Sequence, residues 1–296
     1  MTSRPFGPGL RPMMAADLPA ALRLSREAGW PHRAEDWALV LQTGEGFVAT
    51  GPGGEVLGTA MRSHFGVVSM ANMIIVSQSL RGRGIGRRLL EAVLALAPDD
   101  EWRLVATPEG LPLYQSLGFT PTGIVRQYQG QLSGNSAPLP GDAELRWSDA
   151  ADHQTLIALD LEATGADRRS FYAALPKEAR LAVLPVTGGQ HPDSITAFGL
   201  LRPFGQGLSL APLIARDAQA ATGLLRGVAV AVAGRFLRLD TITPQGADCP
   251  LAGALAAAGL PLVNRGTEMI RPARSQATPP TPANFYRFAL AAQALG

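Results

Sequence analysis

Apolar positions change their period several times along the chain, and each change marks an element. Asp17 precedes Leu18, Ala21, Leu22 and Ala28, with Gly29 behind them. That pattern predicts an N-capped amphipathic helix with a glycine stop. Trp37, Val40 and Leu41 ahead of Gly44 predict a second, shorter helix. Residues 47–50 and 56–62 flank Gly51-Pro52-Gly53-Gly54, which predicts a β-hairpin, and 69–76 is a third apolar strand. A glycine-rich turn spans 81–86. From 87 to 97, Leu89, Leu90, Val93 and Leu94 recur on one helical face. A strand over 102–107, a short helix over 111–117 ended by Gly118, and a final strand over 122–128 complete the order α, α, β, β, β, α, β, α, β. The expected class is α/β, in the α+β sense: a mixed, mostly antiparallel sheet with helices on its faces.

Residues 130–142 (GQLSGNSAPLPGD) lack periodicity and form the best linker in the chain. Beyond them the pattern restarts. Leu10-Arg11 and Ala15-Ala16-Asp17 are matched by Leu145-Arg146 and Ala150-Ala151-Asp152 at an offset of 135. At that offset Arg81, Leu89, Leu90 and Val93 fall on Arg216, Leu224, Leu225 and Val228. Thr107-Pro108-Glu109-Gly110 resembles Thr243-Pro244-Gln245-Gly246 at 136. Each match is weak, but their order and near-constant offset favour duplication over chance. The expected organisation is one domain over 1–130, a linker over 131–142 and a second, related domain over 143–296.

Composition narrows the function classes. With 296 residues, 46% hydrophobic and 17% charged, the chain is long and apolar enough to bury a core without staples. A net charge of +2 is too small for a wholesale nucleic-acid binder. Lys177 is the only lysine among 26 cationic residues, which reads as codon bias. Cys249 is the only cysteine, so neither a disulfide framework nor a thiolate metal cluster is expected, and no metal is assigned. No apolar run reaches the roughly 18–20 residues of a membrane span, and no secretory leader is visible, so a cytoplasmic protein without membrane or nucleic-acid partners is expected.

The chemistry concentrates in Arg81-Gly82-Arg83-Gly84-Ile85-Gly86, between an apolar strand and an amphipathic helix. Glycines there let backbone approach a ligand, and the helix N-terminus presents unpaired N–H groups with partial positive charge, which suits a phosphate. Arg81, Arg83, Arg87 and Arg88 add mobile charge at the same place. A dinucleotide fingerprint, a P-loop and a plain glycine turn with solvated arginines all compete. The glycine spacing and late position disfavour the first, and the absence of a lysine disfavours the second.

The longer run MIIVSQSLRGRGIGRRLLEAVL resembles the coenzyme A-binding motif of the GNAT acyltransferase superfamily, R/Q-x-x-G-x-G/A, matched by Arg81, Gly84 and Gly86. LPLYQSLGF, from Leu111 to Phe119, resembles that superfamily's next motif. With Gly29 to Trp37, the chain is similar to a bacterial subgroup that carries a second GNAT-like lobe. The resemblance implies that backbone N–H groups from Arg83 to Arg87, through Gly84, Ile85 and Gly86, cradle the coenzyme A pyrophosphate, with Gly82 and Arg88 beside them. It implies a strand 72–76 splayed from its neighbour near Val105. Main-chain groups around Ile74, Ile75 and Val76 would bind pantetheine and polarise the acetyl carbonyl, stabilising the oxyanion by a few kcal/mol. Tyr114 would be the general acid that protonates the leaving thiolate. Many relatives have a base glutamate on the central strand, but Ser69-Met70-Ala71-Asn72 has none. His64, Glu45 and His32 are then the candidates, each with a bland structural alternative.

In the second half Asp217, Gln219 and Ala221 stand opposite the three glycines, and Leu255 opposite Tyr114. That half is expected to lack cradle and acid, leaving packing or acceptor binding. Asp160, Asp167, Arg168 and Arg169 either line a polar acceptor pocket or cap helix ends. The expected function is direct acetyl transfer from acetyl-CoA to a small-molecule amine. A non-catalytic acyl-CoA sensor and a nucleotide-binding module using the same cradle are the alternatives.

Overall fold

The structure is a computed structural model that describes residues 9–133, 144–148, 153–186, 195–274 and 284–296. Its first half runs β1 (Gly9–Pro12), α1 (Leu18–Glu27), α2 (Ala34–Gln42), β2 (Gly44–Thr50), β3 (Val56–Phe65), β4 (Val68–Val76), α3 (Ile85–Leu94), β5 (Glu101–Ala106), α4 (Leu111–Ser116) and β6 (Thr120–Gln131). The second half repeats that order: β7 (Arg146–Ser148), α5 (His153–Thr164), α6 (Arg169–Ala173), β8 (Arg180–Pro185), β9 (Ile195–Phe204), β10 (Gly207–Ala215), α7 (Ala218–Ala231), β11 (Phe236–Pro244), α8 (Ala252–Ala257) and β12 (Leu262–Arg271). One strand, β13 (Tyr286–Ala289), has no counterpart. Most of the expected linker, and the Ala150-Ala151-Asp152 match, lie outside the described residues.

All strands form one sheet in the order β1-β2-β3-β4-β5-β12-β6-β11-β13-β10-β9-β8-β7. The strand expected to close the first half instead leaves it: β6 lies between β12 and β11, both from the second half. Reciprocally, β12 lies between β5 and β6. Periodicity identifies a strand but not its neighbours, and duplicated halves offer each last strand two equivalent berths.

Each half splays where its two parallel strands part. β4 and β5 pair only through Val68, Ser69 and Met70, opposite Glu101, Trp102 and Arg103, and then diverge. β10 and β11 pair only at Leu208–Leu237 and Ser209–Arg238. In the second half β13 fills the opening, pairing with β10 at Leu213–Ala215 and with β11 at Thr241.

Helix burial follows the sequence pattern. Leu89, Leu90 and Val93 of α3 are fully buried against the first half's sheet with Trp102 and Leu104, and α7 repeats this with Leu224, Leu225 and Val228. The other sheet face carries a core shared by both halves. There Trp37, Phe65 and Met70 belong to the same cluster as Leu156, Phe171 and Phe198. Among the described residues, no helix is long and apolar enough to cross a membrane.

Candidate functional site

The first half's splay is shaped by a bulge in β4. The register with β3 shifts between Thr59–Ile75 and Met61–Asn72, and Met73 takes φ +48° to absorb the extra residue. A left-handed non-glycine residue costs about 1–2 kcal/mol. The Thr59 hydroxyl stabilises the bulge by donating to the Met73 carbonyl at 2.6 Å. Bulges re-aim a strand. Beyond this one Ile74 is half-buried and lines a cavity, Ile75 points into the shared core and Val76 lies beside Gly86.

The glycine turn follows directly. Gly82 and Gly84 have φ +75° and +76°, and a Cβ on either would meet nothing within 4 Å. Backbone conformation, not packing, is what requires glycine there. Gly84 is the N-cap of α3 and supplies no side-chain cap, so the first N–H groups of the helix, from Ile85 through Arg87, stay open. Gly86 presents bare backbone in the first turn, while Ile85 anchors that turn in the core. Arg81 donates through Nε to the Val76 carbonyl at 3.4 Å, and Arg87 donates to Ser116 Oγ at 2.6 Å. Arg83 and Arg88 are exposed beside them.

Tyr114 stands on α4 at the same end of the splay. Its ring is packed edge-on to Phe119 and close over Gly110, where a Cβ would come within 2.6 Å of Cε2. Burial pushes its phenol up to about 12. The hydroxyl has no hydrogen-bond partner among the described residues, and the side chain borders the cavity that Ile74 lines.

That cavity, of about 240 Å³, lies between the halves. Trp30 and His32 come from the turn between α1 and α2, and Phe204 and Arg238 from β9 and β11. The main chain from Ala292 to Ala294 closes one side, held by Asn72 Nδ2 donating to the Ala294 carbonyl at 2.8 Å. His32 sits among Trp30, Trp37 and Phe204, and burial pushes its imidazole down to about 4. Of the three candidate bases, His32 alone reaches this cavity. Glu45 and His64 are exposed at the far end of β2 and β3, where both contact Arg62.

The second-half charges suggested as an acceptor pocket do not line the cavity. Arg168 and Asp160 form a fully buried two-point ion pair at 2.5 and 2.8 Å, and Arg168 also donates to the Gly296 carbonyl. Asp167 and Arg169 pair with each other at the surface. Closeness along the chain grouped these residues but left open which side of the sheet they join. The lining residues Phe204, Gln127, Arg238 and Gln293 carry no local signal in the sequence, because strand exchange and the path beyond β13 gather them.

The equivalent place in the second half is closed in every respect. Asp217 caps α7, its Oδ1 accepting from the Ala220 N–H at 2.8 Å. The splay is filled by β13, and Leu255 is fully buried on α8 where α4 carries Tyr114. Among the described residues, no three His, Cys, Asp or Glu side chains converge as a metal site.

Comparison with known proteins bears on both halves. Two family models described as acetyltransferase (GNAT) domain match, one over residues 42–121 and the other over residues 156–281. The chain is 29% identical over 221 residues to the uncharacterized N-acetyltransferase YitH of Bacillus subtilis, covering 74% of this chain and 77% of that protein. Among solved structures, a candidate acetyltransferase of Pyrococcus horikoshii superposes with TM-score 0.77 at 15% identity, covering 100% of this chain and 98% of the other. A GCN5-related N-acetyltransferase of Sphaerobacter thermophilus gives 0.62 at 17% identity, covering 90% and 97%. At these identities the solved structures speak to the fold.

Proposed function

The chain belongs to the GNAT acetyltransferase superfamily as an acyltransferase with two GNAT-like domains in tandem, and from that premise we propose that its first lobe (1–130) transfers an acetyl group from acetyl-CoA directly to a small amine. The second lobe (143–296) completes the acceptor cavity and binds no coenzyme. One observation carries this reading. The β4–β5 splay and Tyr114 border one cavity, and the uncapped start of α3 lies beside them with Gly86 next to Val76 and Leu113, while the second half closes all three counterparts.

The residues present fit coenzyme A. The N–H groups from Arg83 to Arg87 suit a pyrophosphate, and Gly82, Gly84 and Gly86 leave backbone clear for it. Arg81, Arg83 and Arg88 supply the charge complement. Unpaired main-chain groups of β4 from Ile74 to Val76 hold the pantetheine arm. A β4 N–H stabilises the charge that develops on the acetyl oxygen, an effect of about 3–4 kcal/mol in preorganised sites.

Bound acetyl-CoA supplies the thioester carbonyl. As the amine forms the new C–N bond the C–S bond breaks, the Tyr114 hydroxyl gives its proton to the departing sulfur, and the amine's surplus proton passes to solvent. A phenol held near 12 remains protonated at neutral pH until that moment. Cys249 lies beside Thr241, away from the cavity, and supports no acyl-enzyme route.

Calorimetry with acetyl-CoA and thiol release over an amine panel test the reading together. Tyr114→Phe is expected to lower kcat by about 10²-fold or more with acetyl-CoA affinity within about twofold. Full activity in that variant removes Tyr114 from the mechanism. Tight acetyl-CoA binding without turnover of any amine converts the protein to a sensor. Stabilisation by ATP or NAD but not by acetyl-CoA defeats the coenzyme assignment.

A further inference from the structure

The cavity wall is charged in one sense. No Asp or Glu of the described residues lines it. Two carboxylates behind the wall, Asp36 and Asp240, are both engaged from within the protein, while Glu109 bonds the lining Thr107 from an exposed position. Asp36 accepts from the Arg33 backbone N–H at 2.9 Å and from its guanidinium at 3.0 Å, with Arg202 at 3.7 Å. Asp240 accepts from Nε and Nη2 of Arg238, the shortest contact being 2.8 Å, and from Gln293 at 3.2 Å. Three guanidiniums thus face two carboxylates, and His32 among them is neutral.

Arg238 is the member of this cluster that reaches the cavity. Its Nε and Nη2 are spent on Asp240, while Nη1 has no protein partner among the described residues. Asp240, itself held by Gln293, fixes the guanidinium, so the free end is preorganised. The carbons at the centres of the Arg238 and Arg202 guanidiniums lie 5.0 and 5.1 Å from the centre of the Phe204 ring, which leans on both. Trp30 borders the same space, and Gln127 and Gln293 offer neutral amides beside Arg238.

We propose that the acceptor is a small amine bearing a carboxylate, as a free amino acid does, and that Arg238 Nη1 holds that carboxylate while Trp30 and Phe204 contact the rest. A polycationic acceptor, such as an aminoglycoside or a polyamine, finds no unpaired carboxylate within this cluster and is repelled by it. The size agrees. About 240 Å³ falls below the roughly 300–1,000 Å³ of drug-sized sites, and part of it belongs to the acetyl end. Arg238 is a substrate-binding residue in this scheme.

This inference rests on the acetyltransfer reading, so the experiment separates the two. Acetyl-CoA binding is first measured alone by calorimetry; its absence defeats the acetyltransfer reading and this one with it. Thiol release is then compared across matched sets: phenylalanine, phenylalanine amide and phenethylamine, the same trio for leucine, with spermidine and kanamycin. Free amino acids are expected to exceed their amides by at least about tenfold in kcat/KM, because the amide replaces a charge-assisted contact to Arg238 Nη1 with a neutral one. Arg238→Lys keeps the charge but not the two-sided geometry, and is expected to raise the amino-acid KM about tenfold with kcat little changed. The substrate pairs need no variant, so misfolding of R238K does not cloud the result. Equal or better use of amides, amines or polycations, or turnover of none while acetyl-CoA is bound, overturns the proposal.

Discussion

Arginine carries nearly all the positive charge of this protein, and its internal pairs give that skew a structural side. Arg168 meets Asp160 through two nitrogens, and Arg238 meets Asp240 likewise, all four side chains being buried. A lysine cannot supply a planar fork of this kind. Codon bias, the reading given for the overall composition, does not account for these positions. Buried charge also sets a pH dependence at His32. Desolvation pushes its imidazole from 6.5 down to about 4, Asp36 opposes this, and Arg238 and Arg202 reinforce it. The folded state therefore takes up a proton less readily than the unfolded chain. Stability from this group is complete above about pH 6.5 and is lost as pH falls toward 4, by about 3 kcal/mol at full extent. Denaturant unfolding at pH 7 and pH 4.5 is expected to show a smaller acid loss in His32→Gln than in the parent. An identical loss in both assigns the acid sensitivity to carboxylates alone.

At the scale of elements, the turn into α3 is the part of the site most open to direct test. The sequence placed a glycine-rich turn over 81–86 and a helix from 87; the helix begins two residues earlier because Gly84, left-handed, can cap it without a side chain. Gly84→Ala places a Cβ in open space, so its folding cost is the left-handed strain alone, about 1 kcal/mol. If that turn cradles phosphates, acetyl-CoA affinity falls by about tenfold or more in calorimetry, since the added methyl stands where the ligand approaches. Gly234→Ala is the matched control, with φ +74° and equally open surroundings in the turn before β11. Equal affinity in the two variants removes the turn from ligand binding. The strands read in the first half, β2 to β6, were legible to within a few residues. β1 escaped notice because four residues containing a proline carry no period, and β13 because Tyr286 to Ala289 is equally short.

For the whole molecule, strand exchange makes the halves interdependent. Residues 1–133 alone would expose both edges of the twelve-residue strand β6, and would leave β5 without β12. Bare edges of this length favour aggregation. Each half expressed alone is expected to be insoluble or unfolded by circular dichroism. Co-expression of 1–133 and 144–296 as separate chains is expected to give a one-to-one complex on size exclusion. A stable monomeric 1–133 shows that β6 finds another berth and that the exchange is not obligatory.

The sequence by itself determined the elements, their duplication, the phosphate-suited turn and the loss of that turn in the second half. Each of these depends on local spacing: helical or alternating periodicity, glycine where φ is positive, a capping carboxylate at Asp217. What it left open depends on which distant segments meet. Strand pairing, the filling of one splay by β13, and the joining of His32, Phe204 and Arg238 around one cavity all bring together residues up to about two hundred positions apart. Those contacts arise from burial of shared apolar surface and backbone pairing across the sheet, energies that no window along the chain contains. The acceptor chemistry proposed here is therefore read from the tertiary structure, and the proposed coenzyme from the sequence.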